Sequence, residues 1–162
     1  AHLYFSDADL QHYDTNLKLY PPLRTEADRD AFRHAVVSGT IDCIASHHMP
    51  HEYDSKTCEF EFAQPGMLAL ETAYGVTGAA LQGALTPERW VQLVAINPRT
   101  IFGLAVPSIT AGNPAVVTLF DPSATYTFTR EMIRSRSANT PFVGKTLTGK
   151  VYGIINQQHI LI

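Results

Sequence analysis

The sequence predicts an α/β fold, and three observations carry that expectation. A short apolar run from Ile41 to Ala45 follows directly on a helix signal that stops at Ser38-Gly39, so helix and strand alternate as a parallel α/β architecture requires. Further helical runs occupy Met67 to Leu81 and the stretch from Thr86 onward. From Ala105 the texture changes, and prolines and glycines punctuate short β-rich runs that read as an antiparallel layer.

Composition agrees with a folded protein. The chain has 162 residues, 45% of them hydrophobic and 17% charged, enough for a real core and too apolar for disorder. Its net charge is −3 with basic residues scattered, which argues against a nucleic-acid or membrane surface. Cys43 and Cys58 lack zinc-finger or CxxC spacing, and Cys43 reads as a small core residue of a reduced, cytoplasmic protein. No stretch reaches the ~18 apolar residues of a membrane span, and no signal peptide is visible, although Ala1 need not be a native start.

Taken in order, Ala1 to Phe5 is a strand end or loop, and Ser6 caps a helix with Asp7 and Asp9 in its first turn. Pro21-Pro22 forces an extended segment. Thr25-Glu26-Ala27-Asp28 is a capping-box variant opening a helix through Val37, with Ala27, Ala31, Phe32 and Ala35 as its apolar side. The strand Ile41–Ala45 follows, then a charged loop from Glu52 to Glu61, too polar to be buried. Pro65-Gly66 precedes the helix Met67–Leu81. Thr86-Pro87-Glu88 supplies an N-cap, a proline at the first helical position and an acid in the first turn, and turns Trp90, Leu93 and Val94 inward. That helix ends near Asn97-Pro98, a second short turn runs to Phe102, and Gly103 stops it. Ala115–Phe120, Tyr126–Phe128 and Val151–Ile162 are the β runs, with Asn156-Gln157-Gln158-His159 at a hairpin turn.

The chemistry-bearing stretch is Ser46-His47-His48-Met49-Pro50-His51, three histidines directly after the apolar run. In parallel α/β folds such residues lie at the C-terminal mouth of the sheet, where metal or proton-transfer sites gather. Histidines of a surface loop would look the same.

Four stretches together resemble one family. Ile41-Asp42-Cys43-Ile44-Ala45-Ser46-His47-His48-Met49-Pro50-His51 is similar to the strand-8 motif of bacterial dihydroorotases, zinc enzymes of the amidohydrolase superfamily, in which His47 is usually an aspartate. Tyr13-Asp14-Thr15-Asn16-Leu17-Lys18-Leu19-Tyr20-Pro21-Pro22-Leu23-Arg24 resembles a second family segment, in which Tyr20 is usually an asparagine. Asn97-Pro98-Arg99-Thr100-Ile101-Phe102-Gly103-Leu104 resembles a family helix, and Ser137-Ala138-Asn139-Thr140-Pro141-Phe142-Val143-Gly144 a late loop.

The resemblance implies the C-terminal part of a TIM-barrel metal-dependent hydrolase fold plus part of a small β-sandwich, divided as residues 1–104 and 105–162. A whole barrel takes about 250 residues, so the remaining N-terminal part of the barrel becomes an expected partner. The implied reaction is the interconversion of carbamoyl-aspartate and dihydroorotate in pyrimidine biosynthesis, with zinc as cofactor and most ligands outside this chain. His47 takes the catalytic and metal-contacting position, His51 the carboxylate-binding one, and Pro65 and Gly66 the backbone that flanks the substrate. Tyr20 stands at a substrate contact, and His48 at a position that orients the site. Histidine at 47 removes a negative charge from beside the metals, which leaves a second expectation open: a degenerate homologue serving as scaffold or partner of aspartate transcarbamoylase. A homo-oligomer is expected in either case. A third reading is a self-standing domain whose histidine triplet binds one metal.

Overall fold

The computed structural model describes residues 1–81 and 83–162. The capping box at Thr25 forms as the sequence dictates. The Asp28 amide donates to the Thr25 hydroxyl at 3.2 Å, and the Thr25 amide donates back to the Asp28 carboxylate at 3.2 Å. Helix α1, Glu26–Ser38, follows from it and ends at Gly39 in the left-handed conformation (φ 87°). Its inward face differs from the expected one. Val36 is the buried residue, while Ala27, Ala31 and Phe32 face solvent. Upstream, Ser6 donates its amide to Asp9 at 2.9 Å and opens a 3-10 helix, Asp7–His12.

Ile41–Ala45 has no regular secondary structure and belongs to no sheet. Its backbone contacts run elsewhere: the Ile41 amide donates to Ala35 O and the Ile44 amide to Leu93 O. A parallel strand needs neighbours brought alongside by crossovers. Among the described residues the only parallel pairing is a single bridge between His48 and Met67. Cys43 is consequently exposed and not a core residue.

The next helix also starts late. Met67–Thr72 is irregular and largely buried, and α2 spans Ala73–Leu81. The amides that a helix would have used are taken by distant acceptors, Leu68 N–H by Asn139 O at 2.9 Å and those of Ala69 and Leu70 by His48 Nδ1 at 3.2 Å. Helix α3, Pro87–Val91, is capped by the Thr86 hydroxyl, passes into a π-helical turn, Gln92–Ile96, and continues as α4, Asn97–Ile101. The expected break at Asn97-Pro98 is absorbed there, because a wider turn accommodates a proline ring and its missing N–H. Leu93 is fully buried against Val36 and Leu81.

The β layer is a three-stranded antiparallel sheet in the order β1-β2-β3, with β1 Val116–Thr127, β2 Thr146–Asn156 and β3 His159–Leu161. The first two expected β runs join into β1 through an irregularity at Asp121–Thr125. There the Asp121 carboxylate accepts from the amides of Ser123 and Ala124 and from the Ser123 hydroxyl, tying the extra residues into a local loop. The β2–β3 hairpin turns at Gln157, which adopts a left-handed φ of 56°. Helix α2 packs on β2, and the main core gathers Phe5, Leu17, Met67, Phe128, Phe142 and Leu147 from the N-terminal turns, the site loop and the sheet. Among the described residues no helix is long and apolar enough to cross a membrane.

Candidate functional site

The three histidines separate into three different situations. His47 sits in a left-handed conformation (φ 53°) and is exposed, with both ring nitrogens free of hydrogen bonds among the described residues. His48 turns inward and uses Nδ1 as an acceptor for two backbone amides, which fixes its proton on Nε2. His51 places Nε2 3.0 Å from Pro65 O. A carbonyl cannot donate, so His51 must, and in the neutral ring Nδ1 is left as an acceptor.

Asn139 braces this region. Its Oδ1 accepts the His51 amide at 3.1 Å, and its Nδ2 donates to Met49 O at 3.0 Å and Gly66 O at 3.4 Å. Its own carbonyl receives Leu68 N–H. One side chain, 5% exposed, therefore ties together the histidine stretch and the Pro65-Gly66 loop. Gly66 is required where it stands. Its φ is 132°, and a Cβ there would meet Met49 Cβ at 2.6 Å and His51 Nε2 at 3.0 Å. Its amide donates to Lys18 O at 2.8 Å, which draws the segment leading to Tyr20 against the loop. Tyr20 itself is 75% exposed.

Sequence reasoning missed two lysines. Lys18 Nζ donates to Phe60 O and Glu61 O, and Lys56 Nζ to Gln64 O at 2.7 Å and Gly66 O at 3.0 Å. The loop from Glu52 to Glu61, expected to lie wholly outside, thus folds over a lysine only 8% exposed. Burial pushes the Lys56 ammonium down to about 8; Asp14 opposes that shift and Lys18 adds to it. Lys18 and Asn139 lie inside the motifs quoted above, so a question about backbone acceptors could have found them. Nothing in the local sequence marks Lys56. Beside His48, burial alone would raise Glu71, but the Ser135 hydroxyl and amide, at 2.5 and 2.8 Å, hold its carboxyl below the usual range.

Among the described residues no three His, Cys, Asp or Glu side chains converge, and His48 and His51 each have a ring nitrogen committed to protein. These residues do not build a metal centre by themselves. His47 is the one member of the triplet left to offer a ligand from either nitrogen.

A dihydroorotase of Desulfotalea psychrophila is 43% identical to the chain over 149 residues, a match covering 90% of this chain and 35% of that protein. A dihydroorotase of Mycobacterium leprae is 40% identical over 154 residues, covering 93% and 36%. The chain thus spans about 35% of the length of these curated relatives. Among solved structures, a D-hydantoinase superposes with a TM-score of 0.84 and 20% identity, over 99% of this chain and 37% of its own. The dihydropyrimidinase of Brevibacillus agri gives the same TM-score, identity and coverage. Likeness at that identity establishes a shared fold. No protein-family model matches the chain. Over nine-tenths of its length the chain is thus similar to a C-terminal portion of dihydroorotases, and it shares its fold with hydantoinases.

Proposed function

We propose that the whole protein hydrolyses a cyclic amide in the manner of a dihydroorotase, interconverting carbamoyl-aspartate and dihydroorotate in pyrimidine biosynthesis. The observation that carries this reading is the bracing of the His51 and Gly66 loops by Asn139, in a chain related to dihydroorotases over nine-tenths of its length. On this reading residues 1–104 complete the barrel and 105–162 enter a composite β-sandwich, and the protein works in the cytoplasm. Zinc, held mainly by residues outside this chain, would supply Lewis acidity and an activated water. Within the chain, Gly66 lets backbone approach the substrate closely, Pro65 fixes the His51 ring, and His47 takes or returns a proton at either ring nitrogen.

A second reading has a specific observation in its favour: His47 and Tyr20 stand where the family motifs carry Asp and Asn, and both are exposed. Neutral imidazole brings no charge to a dication pair. General-base losses run about 10²- to 10⁴-fold. The protein would then be a scaffold, with aspartate transcarbamoylase as its partner. Assay of the full-length protein with added zinc, beside His47→Asp, decides between them. Turnover by wild type supports the enzyme and removes the scaffold. Activity only in the variant places the defect at His47. Silence in both, with co-elution of the transcarbamoylase, establishes the scaffold.

A further inference from the structure

A cleft of about 350 Å³ opens beside the braced loop, and His47 is not among the residues that line it. Arg130, Arg136 and Lys56 line it, against Glu52 as the one acid on its wall. Among the described residues neither arginine makes a side-chain hydrogen bond or an ion pair. Lys56 spends two of its three donors on Gln64 O and Gly66 O, which leaves one N–H on a nearly fully buried ammonium. Asp14 acts on Lys56 and Glu131 on Arg130 without forming an ion pair, so cations gathered around this concave surface still repel one another and favour a negative charge. His51 also lines the cleft, but with Nε2 donating to Pro65 O its neutral ring faces a ligand with an acceptor, Nδ1, which offers an anion nothing.

We propose that this cleft is an oxyanion-binding site, taking a carboxylate or phosphate group of a small molecule, with Arg136 and Arg130 as its principal donors. Guanidinium forks match the planar geometry of such groups, and Ser137 places a hydroxyl on the same wall. The proposal does not depend on turnover, so an inactive protein with an occupied cleft would leave it standing while sinking the enzyme reading.

The test is calorimetric titration of the full-length protein with inorganic phosphate and, separately, with dihydroorotate, at low and high salt. Wild type should bind at least one probe, more weakly at high salt. Arg136→Gln should weaken that binding about 10- to 100-fold, with Arg130→Gln in the same direction and Arg136→Lys between. Binding of dihydroorotate but not phosphate makes the cleft part of the substrate site; the reverse makes it a phosphate site. Both arginines are exposed and unpaired, so the melting temperature should not move. If Arg136→Gln nevertheless unfolds, Arg136→Lys and Arg130→Gln carry the comparison. Wild type that binds neither probe, or variants that bind as wild type does, would overturn the proposal.

Discussion

Lys56 is a cation held where water scarcely reaches, and its two carbonyl partners do not cancel the loss of hydration. A fall from the ordinary 10.5 to about 8 corresponds to roughly 3 kcal/mol lost from the folded state at neutral pH. The sign follows from proton counting. Below pH 8 the group is charged in both states and the whole cost applies. Between about 8 and 10.5 the folded protein has shed its proton while the unfolded chain keeps it, so stability rises with pH. Urea midpoints over this range should climb in wild type relative to Lys56→Met, and parallel curves would refute the assignment. Gly66 makes a sharper demand. Gly66→Ala combines a strained φ with contacts on Met49 and His51, and should cost about 1–3 kcal/mol in chemical denaturation. An unchanged midpoint would mean the loop is freer than its geometry implies. At this scale the sequence made Gly66 and His51 visible through their motifs. Lys56 stayed hidden, because only the folded loop reveals that its ammonium turns inward.

Elements were legible where their signals are local. The capping box at Thr25, the proline of Pro87 and the hairpin at Gln157 all act within a few residues, and each element formed where its signal placed it. Elements went astray where a distant group intervened. Met67–Thr72 has helical composition, yet Asn139 and His48 capture its amides, and the helix waits until Ala73. Ile41–Ala45 has strand composition, but a strand exists only beside another, and no local pattern supplies the neighbour. The contact of α2 with β2 depends on a small residue. A Cβ at Gly78 would overlap the Thr148 carbonyl. Gly78→Ala gains up to about 1 kcal/mol of helix propensity and loses about 1–3 kcal/mol to overpacking. Net destabilisation in a thermal melt is expected, and a stabilised variant would show that helix and strand can part without cost.

For the molecule as a whole, the relevant fact is how much apolar surface faces outward. Ile154, Ile160 and Leu161 on the sheet, Ile101 at the end of α4, and Phe102 and Leu104 after it are all exposed. Expressed by itself, the chain should self-associate or pair with the rest of the protein. Light scattering after gel filtration checks this, and a monomer melting cooperatively would count against it. One further consequence concerns time. Asn139 lies 88 residues after His51, whose amide it receives. A ribosome adding about 5–20 residues per second would need roughly 4–18 s to cover that interval. Throughout it the histidine stretch is already synthesised while the side chain that braces it does not yet exist. Nascent chains stalled just before Asn139 should therefore be cut by protease between His51 and Gly66, and chains stalled well beyond Gly144 should resist. Bracing of the site would then wait on the arrival of a single asparagine.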